Sequence, residues 1–298
     1  MMSPRVPRQA ACAFLAAISC CVAAAAEERI LYEGESLFSH IIVTENDRGL
    51  RTLLFDRSGV RQSVVKLDDP DHIELAYARS ILVALAVCER PERMLVVGLG
   101  GGTLPSLLHQ HYPQAAIDVV DIDPGVVEVA GRFFGFRTDH RLRVHVCDGR
   151  QFIEEARQPY DIIFLDAFGS SSIPRHLTTR EFLEAVRNAL RPTGVVAANI
   201  WGPGANSLYH SMIRTYQEAF GSLLVLRVPA STNEILLAQP RRVVVRREVL
   251  VRRAAAVTRD KSLRYDLGEL LAAGWQDPPP LNERGRVLTD ADTADEDQ

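Results

Sequence analysis

From Met94 onward the chain alternates short apolar runs with segments of helical periodicity, and this restricts the fold more than any other property of the sequence. The runs are Met94 to Val97, Ala116 to Val120, Arg143 to Val146, Asp161 to Leu165 and Gly194 to Asn199. Between them stand helical patterns at about Thr103 to His111, Pro124 to Phe134, Arg150 to Arg157 and Thr179 to Leu190. The last has a start signal, Thr178-Thr179-Arg180-Glu181, that fits a capping box. Apolar strands need cover on both faces, and strands joined through helices run parallel. The predicted class is therefore α/β, a Rossmann-like parallel sheet. A small antiparallel β region precedes it: β-prone runs from Ile30 to Lys66 are divided by turn signals at Glu45 to Gly49 and Asp56 to Gly59. A helix over about Ile73 to Glu89 joins the two parts. Beyond Trp201 the pattern predicts a helix near Ser207 to Phe220, strands at Leu223 to Val228 and Ile235 to Leu237, and further helical pieces.

The first 26 residues stand apart. Arg5 and Arg8 precede an apolar run from Ala10 to Ala26 that ends in small residues before Glu27-Glu28, the layout of a secretory signal peptide. Export to a periplasm or the exterior follows. The alternative is an uncleaved membrane anchor, since the run approaches the length of a spanning helix; a lipoprotein at Cys20 or Cys21 fits poorly, because Ala17-Ile18-Ser19 is a weak lipobox. The expected organisation is a leader over 1–26, the β region over 27–70, a nucleoside-binding catalytic domain over 71–289 and an acidic, frayed tail over 290–298. Cys88 and Cys147, outside the leader, read as buried free thiols, and no Cys/His spacing suits a metal. With a net charge of -4 and mixed signs throughout, nothing global favours nucleic acid or a membrane surface, so a small-molecule partner is expected. Six arginines between Arg241 and Arg253 read as a solvated face.

Chemistry concentrates at one rim. In a parallel sheet, ligands bind where strand carboxyl ends turn into helices. The first such turn is Val97-Gly98-Leu99-Gly100-Gly101-Gly102-Thr103, where residues without Cβ let a ligand rest on bare backbone at a helix N-terminus. The next ends in Asp121-Ile122-Asp123-Pro124, with Asp121 suited to accept both hydroxyls of a ribose. The third ends in Asp148-Gly149, suited to an adenine amino group, and the fourth in Asp166. Simpler roles remain open: Asp121 or Asp123 could cap the helix opened by Pro124, Asp148 the helix after it, and Asp166 could be a loop acid.

These residues resemble the spermidine synthase family, aminopropyltransferases on the S-adenosylmethionine methyltransferase fold. The likeness runs from Glu35-Ser36-Leu37-Phe38-Ser39-His40-Ile41 to Leu288-Thr289-Asp290. It implies that Gly98, Gly100, Gly101 and Gly102 hold the methionine part of a decarboxylated S-adenosylmethionine co-substrate, Asp121 with Ile122 the ribose, and Asp148 with Gly149 the adenine. It also implies that Asp166 is the catalytic acid-base, that Tyr77 lines the pocket of a small amine such as putrescine, and that no metal takes part; a homodimer is compatible with it. Several family positions differ. Glycine replaces the loop aspartate at 101 or 102, Ser39 the entry glutamine, Ala78-Arg79 a His-Glu pair, Gly169 a second aspartate, and Pro229-Ala230-Ser231-Thr232 a tyrosine segment. The alternatives are a methyltransferase using intact S-adenosylmethionine and a non-catalytic nucleoside or polyamine binder. A nicotinamide dehydrogenase fits less well, since G-x-G-x-x-G would need glycine at Thr103.

Overall fold

The computed structural model describes residues 28–88, 90–169, 172–244 and 246–293. The leader over 1–26 and the last five residues lie outside the described residues. Strands β1 (Arg29–Glu35), β2 (His40–Glu45), β3 (Leu50–Leu54) and β4 (Arg61–Lys66) form an antiparallel sheet in chain order, as the turn signals predict.

The helix expected over Ile73 to Glu89 is instead a short α1 (Ala76–Ser80) running into a 3-10 turn, Ile81–Ala86. Two causes are visible. The Ile73 backbone is already occupied: its N–H donates to the Tyr265 hydroxyl at 3.0 Å, and its carbonyl accepts from Arg79 Nε at 2.6 Å. All six residues of the 3-10 turn are buried, so packing on every side replaces the one-sided stripe that favours a regular α-helix.

The main sheet follows. Strand β5 (Arg93–Val97) leads through α2 (Thr103–His111) to β6 (Ala116–Asp121), and α3 (Pro124–Phe133) leads to β7 (Leu142–Val146). The chain then crosses back: α4 (Gly149–Glu154), β8 (Tyr160–Leu165), α5 (Arg180–Ala189), β9 (Leu190–Trp201), α6 (Tyr209–Ala219), β10 (Ser222–Arg227) and β11 (Asn233–Gln239). Helices α7 (Arg247–Asp260) and α8 (Leu267–Gly274) close the fold. The strand order is β10-β11-β9-β8-β5-β6-β7. Strands β5 to β9 pair in parallel, as expected, but β11 is antiparallel to both β9 and β10. The hairpin between β10 and β11 reverses the chain, which apolar periodicity alone does not reveal.

Residues alternate between two cores. Met94, Val96 and Phe164 face the side covered by α2, α3, α7 and the 3-10 turn, whereas Leu95, Val97 and Ile163 face α5 and α6. At the start of α5 the capping box is not formed: Thr179 alone caps, accepting from Phe182 N, while Glu181 accepts from Arg180 and from the Asp290 N–H. The described part of the tail is held rather than frayed, since Arg150 grips Asp290 through two bonds of 2.7 Å. Cys88 and Cys147 form no disulfide among the described residues, and both are half-buried rather than buried. The six arginines from 241 to 253 lie exposed, as expected. No helix among the described residues is long and apolar enough to cross a membrane.

A buried acid breaks the apolar pattern of β6. Asp118, in the middle of β6 and 2% exposed, accepts from Arg143 Nη2 at 2.9 Å, His145 Nε2 at 3.0 Å and the Tyr160 hydroxyl at 3.0 Å, with Arg93 at 3.4 Å. Removing one partner of such a cluster strands the others. Asp118→Ala should therefore lower the unfolding free energy by about 3 kcal/mol, measured by urea denaturation; a loss no larger than that of an exposed aspartate would show the cluster to be inert.

Candidate active site

Backbone hydrogen bonds align the strand ends of the main sheet. Gly98 N donates to Val120 O at 2.8 Å, Asp166 N to Val97 O at 2.9 Å, and Cys147 N to Asp121 O at 3.1 Å. The chain crosses back between β7 and β8, so the rim beside β5 is a topological switch point. A cavity of about 350 Å³ opens there, within the range of small-molecule sites. Its other wall is the N-terminal sheet, through Gln62, Ser63 and Val64 of β4, together with Phe38 and Ser39.

Of the residues singled out in the sequence, Tyr77, Gly98, Gly100, Asp121, Ile122, Asp148, Gly149 and Asp166 line this one cavity. Gly101 and Gly102 do not. A Cβ on Gly102, whose φ is 79°, would meet the Phe136 ring, and one on Gly101 would meet Phe134 and Ser63, so both glycines serve packing behind the loop. Gly98 serves the rim itself: φ is 98°, and a Cβ would collide with the Asp166 carbonyl oxygen, so the loop and the end of β8 touch backbone to backbone. The N-terminus of α2 has no side-chain cap, which leaves its N–H groups for a ligand.

Asp121 organises the loop. Its Oδ2 accepts from Leu99 N at 2.8 Å and its Oδ1 from Asp123 N at 3.0 Å. Each oxygen keeps a lone pair for a hydroxyl. Burial pushes the Asp121 carboxyl above the ordinary carboxylate range, with the N–H groups of Asp123 and Leu99 opposing. Asp123 takes the simpler role, capping α3 by accepting from Gly125 N at 2.8 Å while Ser36 donates to its other oxygen. That bond pins the Glu35 to Ile41 segment to the main domain.

Asp148 does two things. Oδ1 caps α4, accepting from Arg150 N and Gln151 N, and Oδ2 accepts from His176 Nε2 at 2.8 Å. Burial pulls this carboxyl upward, but the Gln151 N–H, His176 and the Arg150 N–H outweigh it and hold the group below its usual value.

Asp166 is different. Burial drives its pKa up to about 7, against the opposing hydrogen bonds of Asn199 and Tyr77. Asn199 Nδ2 donates to Oδ1 at 2.9 Å. The Tyr77 hydroxyl has a single proton and two competing acceptors, Asp166 and the Gln62 carbonyl at 3.1 Å. Burial, followed by the charge of Asp166, holds the Tyr77 phenol well above its usual value, so it remains a donor. The rim thus combines a hydrogen-bonding cradle with a carboxyl group able to exchange a proton near neutrality.

Sequence reasoning missed His176, Asn199 and the β4 wall. His176 is 28 residues from its partner, in a segment without periodicity. Asn199 carried a signal, a polar residue closing an apolar strand at the height of the other rim residues.

A methyltransferase-type α/β sheet with a cavity at its strand ends is the class that this geometry defines. Residues 74–230 match the spermine/spermidine synthase domain. The polyamine aminopropyltransferase of Vibrio vulnificus is 38% identical over 219 residues, 71% of this chain and 72% of that protein. The chain belongs to the spermine/spermidine synthase family. It is also similar to the eEF1A lysine and N-terminal methyltransferase of Bos taurus, 35% identical over 57% of this chain, and spans about a quarter of that protein's length, 27%. Among solved structures, human methyltransferase-like protein 13 in complex with SAH is 31% identical, with TM-score 0.57, covering 68% of this chain and 96% of that one. A spermidine synthase in complex with the transition state analogue AdoDATO shares the fold, with TM-score 0.68 and 21% identity over 84% of this chain and 86% of that one.

Proposed function

We propose that the protein transfers an aminopropyl group from decarboxylated S-adenosylmethionine to the nitrogen of a polyamine such as putrescine. The observation that carries this reading is Asp166, a half-buried residue whose carboxyl is pushed by desolvation to a pKa of about 7, on the rim that also holds Gly98 and Asp121. The amine arrives protonated, and only its free form is a nucleophile. Asp166 takes the proton, the nitrogen attacks the carbon beside the sulfonium, an N–C bond forms and a C–S bond breaks. The sulfur leaves as the neutral thioether of methylthioadenosine. Holding amine and donor side by side supplies much of the acceleration, and the base supplies the remainder. Asp121 would take the ribose hydroxyls, and the Asp148–Gly149 turn would flank the adenine.

One observation favours methyl transfer from intact S-adenosylmethionine as a second reading. The loop from Gly98 to Gly102 holds no carboxylate, a group that would suit a donor lacking its own carboxylate and repel that of intact S-adenosylmethionine, and Gly101 and Gly102 are packed against Phe134 and Phe136. Both chemistries deliver carbon from a sulfonium to an amine, so the fold does not choose between them. Incubation with each donor and mass analysis of the products separates them: spermidine with methylthioadenosine supports the proposal, and a methylated amine with S-adenosylhomocysteine overturns it. Thermal stabilisation by the donor without turnover would instead favour a binding protein.

The reading fixes a pH dependence. The ionised carboxylate is the base, so kcat/KM should rise with pH and level off near pH 7, the value of the free protein's Asp166. A bound sulfonium is positive and favours the carboxylate, so the acid limb of kcat should lie below that of kcat/KM. An acid limb near pH 4 in kcat/KM would exclude Asp166 as the base.

Export also belongs to the proposal. The Arg5 to Ala26 segment supports a secreted or periplasmic location, and N-terminal sequencing of protein recovered from cell fractions tests it.

A further inference from the structure

Asp166 stands at the end of a directed chain of hydrogen bonds. Asn199, at the end of β9 and 2% exposed, donates from Nδ2 to Asp166 Oδ1 at 2.9 Å. Asn199 Oδ1 accepts from Asn233 Nδ2 on β11, also at 2.9 Å. Asn233 Oδ1 accepts from the Ser231 hydroxyl at 2.7 Å. The turn carrying Ser231 is fixed by backbone bonds from Ser231 N to Val228 O and from Val228 N to Asn233 O, and it places the non-glycine Ala230 at φ 57°. This is the Pro229 to Thr232 segment, where the resembling family carries a tyrosine.

We infer that Asn233 is a positioning residue for Asp166: its NH₂ holds the Asn199 amide with the NH₂ toward the carboxyl, and Ser231, whose Oγ also accepts from the Asn233 backbone N–H at 3.2 Å, favours that orientation by donating to Asn233 Oδ1. An amide donates at one end and accepts at the other. If Asn199 turned over, its NH₂ would face the NH₂ of Asn233, two donors with no acceptor between them. With Asn233 donating to its Oδ1, Asn199 donates to Asp166, which suits the ionised carboxylate and offers no acceptor to a proton on Asp166 Oδ1. Without Asn233 the amide is free to flip and accept the Asp166 proton, so the chain holds the base ready for use. The other titratable groups lining the same cavity are Tyr77, Asp121, Asp123, Asp148 and His176. Asp121, Asp123 and Asp148 already accept from backbone N–H groups. Glu234, beside Asn233 on β11, is bonded to the Tyr209 hydroxyl, and Arg79, on the helix of Tyr77, is bonded to the carbonyls of Ile73 and Glu74.

The inference rests on Asp166 as the proton acceptor, so its test has a readout that needs no turnover. Carbon-13 NMR of aspartate-labelled protein, with the Asp166 signal assigned by its absence in Asp166→Asn, gives the carboxyl titration directly. In Asn233→Leu this titration and the acid limb of kcat/KM are both expected to move up by about one pH unit, with donor affinity unchanged. Ser231→Ala, an exposed change that leaves the sheet intact, should shift both in the same direction by less. A purely structural role would lower Tm and leave the titration where it was; an unmoved Asp166 signal in either folded variant overturns the inference. Should the wild type transfer no aminopropyl group while the NMR titration still shifts, the proposed reaction fails and the relay stands.

Discussion

Asp166→Asn is expected to reduce turnover by about a thousandfold while leaving donor affinity within about twofold, the range lost when a positioned general base is removed. The amide keeps the shape of the carboxyl and can still bond Asn199 and Tyr77, but it has no lone pair basic enough to take a proton from an ammonium. The same change should stabilise the fold. A carboxyl whose pKa rises from its unfolded value to about 7 binds its proton more tightly when folded. Its contribution to stability is therefore fully present below the unfolded pKa and is lost as pH climbs to 7. At pH 8 the wild type carries the whole penalty of a desolvated carboxylate, and Asp166→Asn should melt roughly 5 °C higher, a gain that shrinks at pH 5. Full turnover in this variant would remove Asp166 from the mechanism, and a lower Tm at pH 8 would contradict its desolvated charge.

Asp121→Ala should act on binding rather than on chemistry. It removes the two oxygens proposed to accept ribose hydroxyls and also releases the N–H groups of Leu99 and Asp123, which hold the glycine loop against the end of β6. Hydrogen bonds to a charged acceptor are worth about 1.5–3 kcal/mol each, so losing two hydroxyl contacts weakens donor affinity by at least about a hundredfold. The loop effect should appear separately, as faster hydrogen exchange across Gly98 to Thr103 in the ligand-free protein. Turnover at saturating donor should fall far less than in Asp166→Asn. Unchanged affinity would place the ribose elsewhere.

The contrast between these two aspartates also shows what was legible in the sequence. Asp121 and Asp166 could be read because each closes an apolar strand in a repeating β-α pattern, and α2 over Thr103 to His111 was legible to the residue because glycine precedes it. Asp118 was hidden because its partners Arg93, Arg143, His145 and Tyr160 come from three other strands. The segment before α1 was misread because the Tyr265 hydroxyl, 192 residues away, takes the backbone that a helix would use. The direction of β11 and the positions of His176 and Asn233 depend on tertiary pairing, which leaves no local period. Gly101 and Gly102 were grouped with the ligand loop by their composition, whereas the rings of Phe134 and Phe136 set their need for glycine. Local pattern revealed the rim; long-range contacts decide which of its groups are spent on structure and which remain for chemistry.

The most direct measurement is titration calorimetry of decarboxylated and intact S-adenosylmethionine into wild-type protein and Asp121→Ala. The expected result is one site per chain that takes the decarboxylated donor more tightly and is lost in the variant. Absence of heat from either nucleoside in the wild type, or equal binding by wild type and variant, would contradict a donor cradled between Gly98, Asp121 and Asp148.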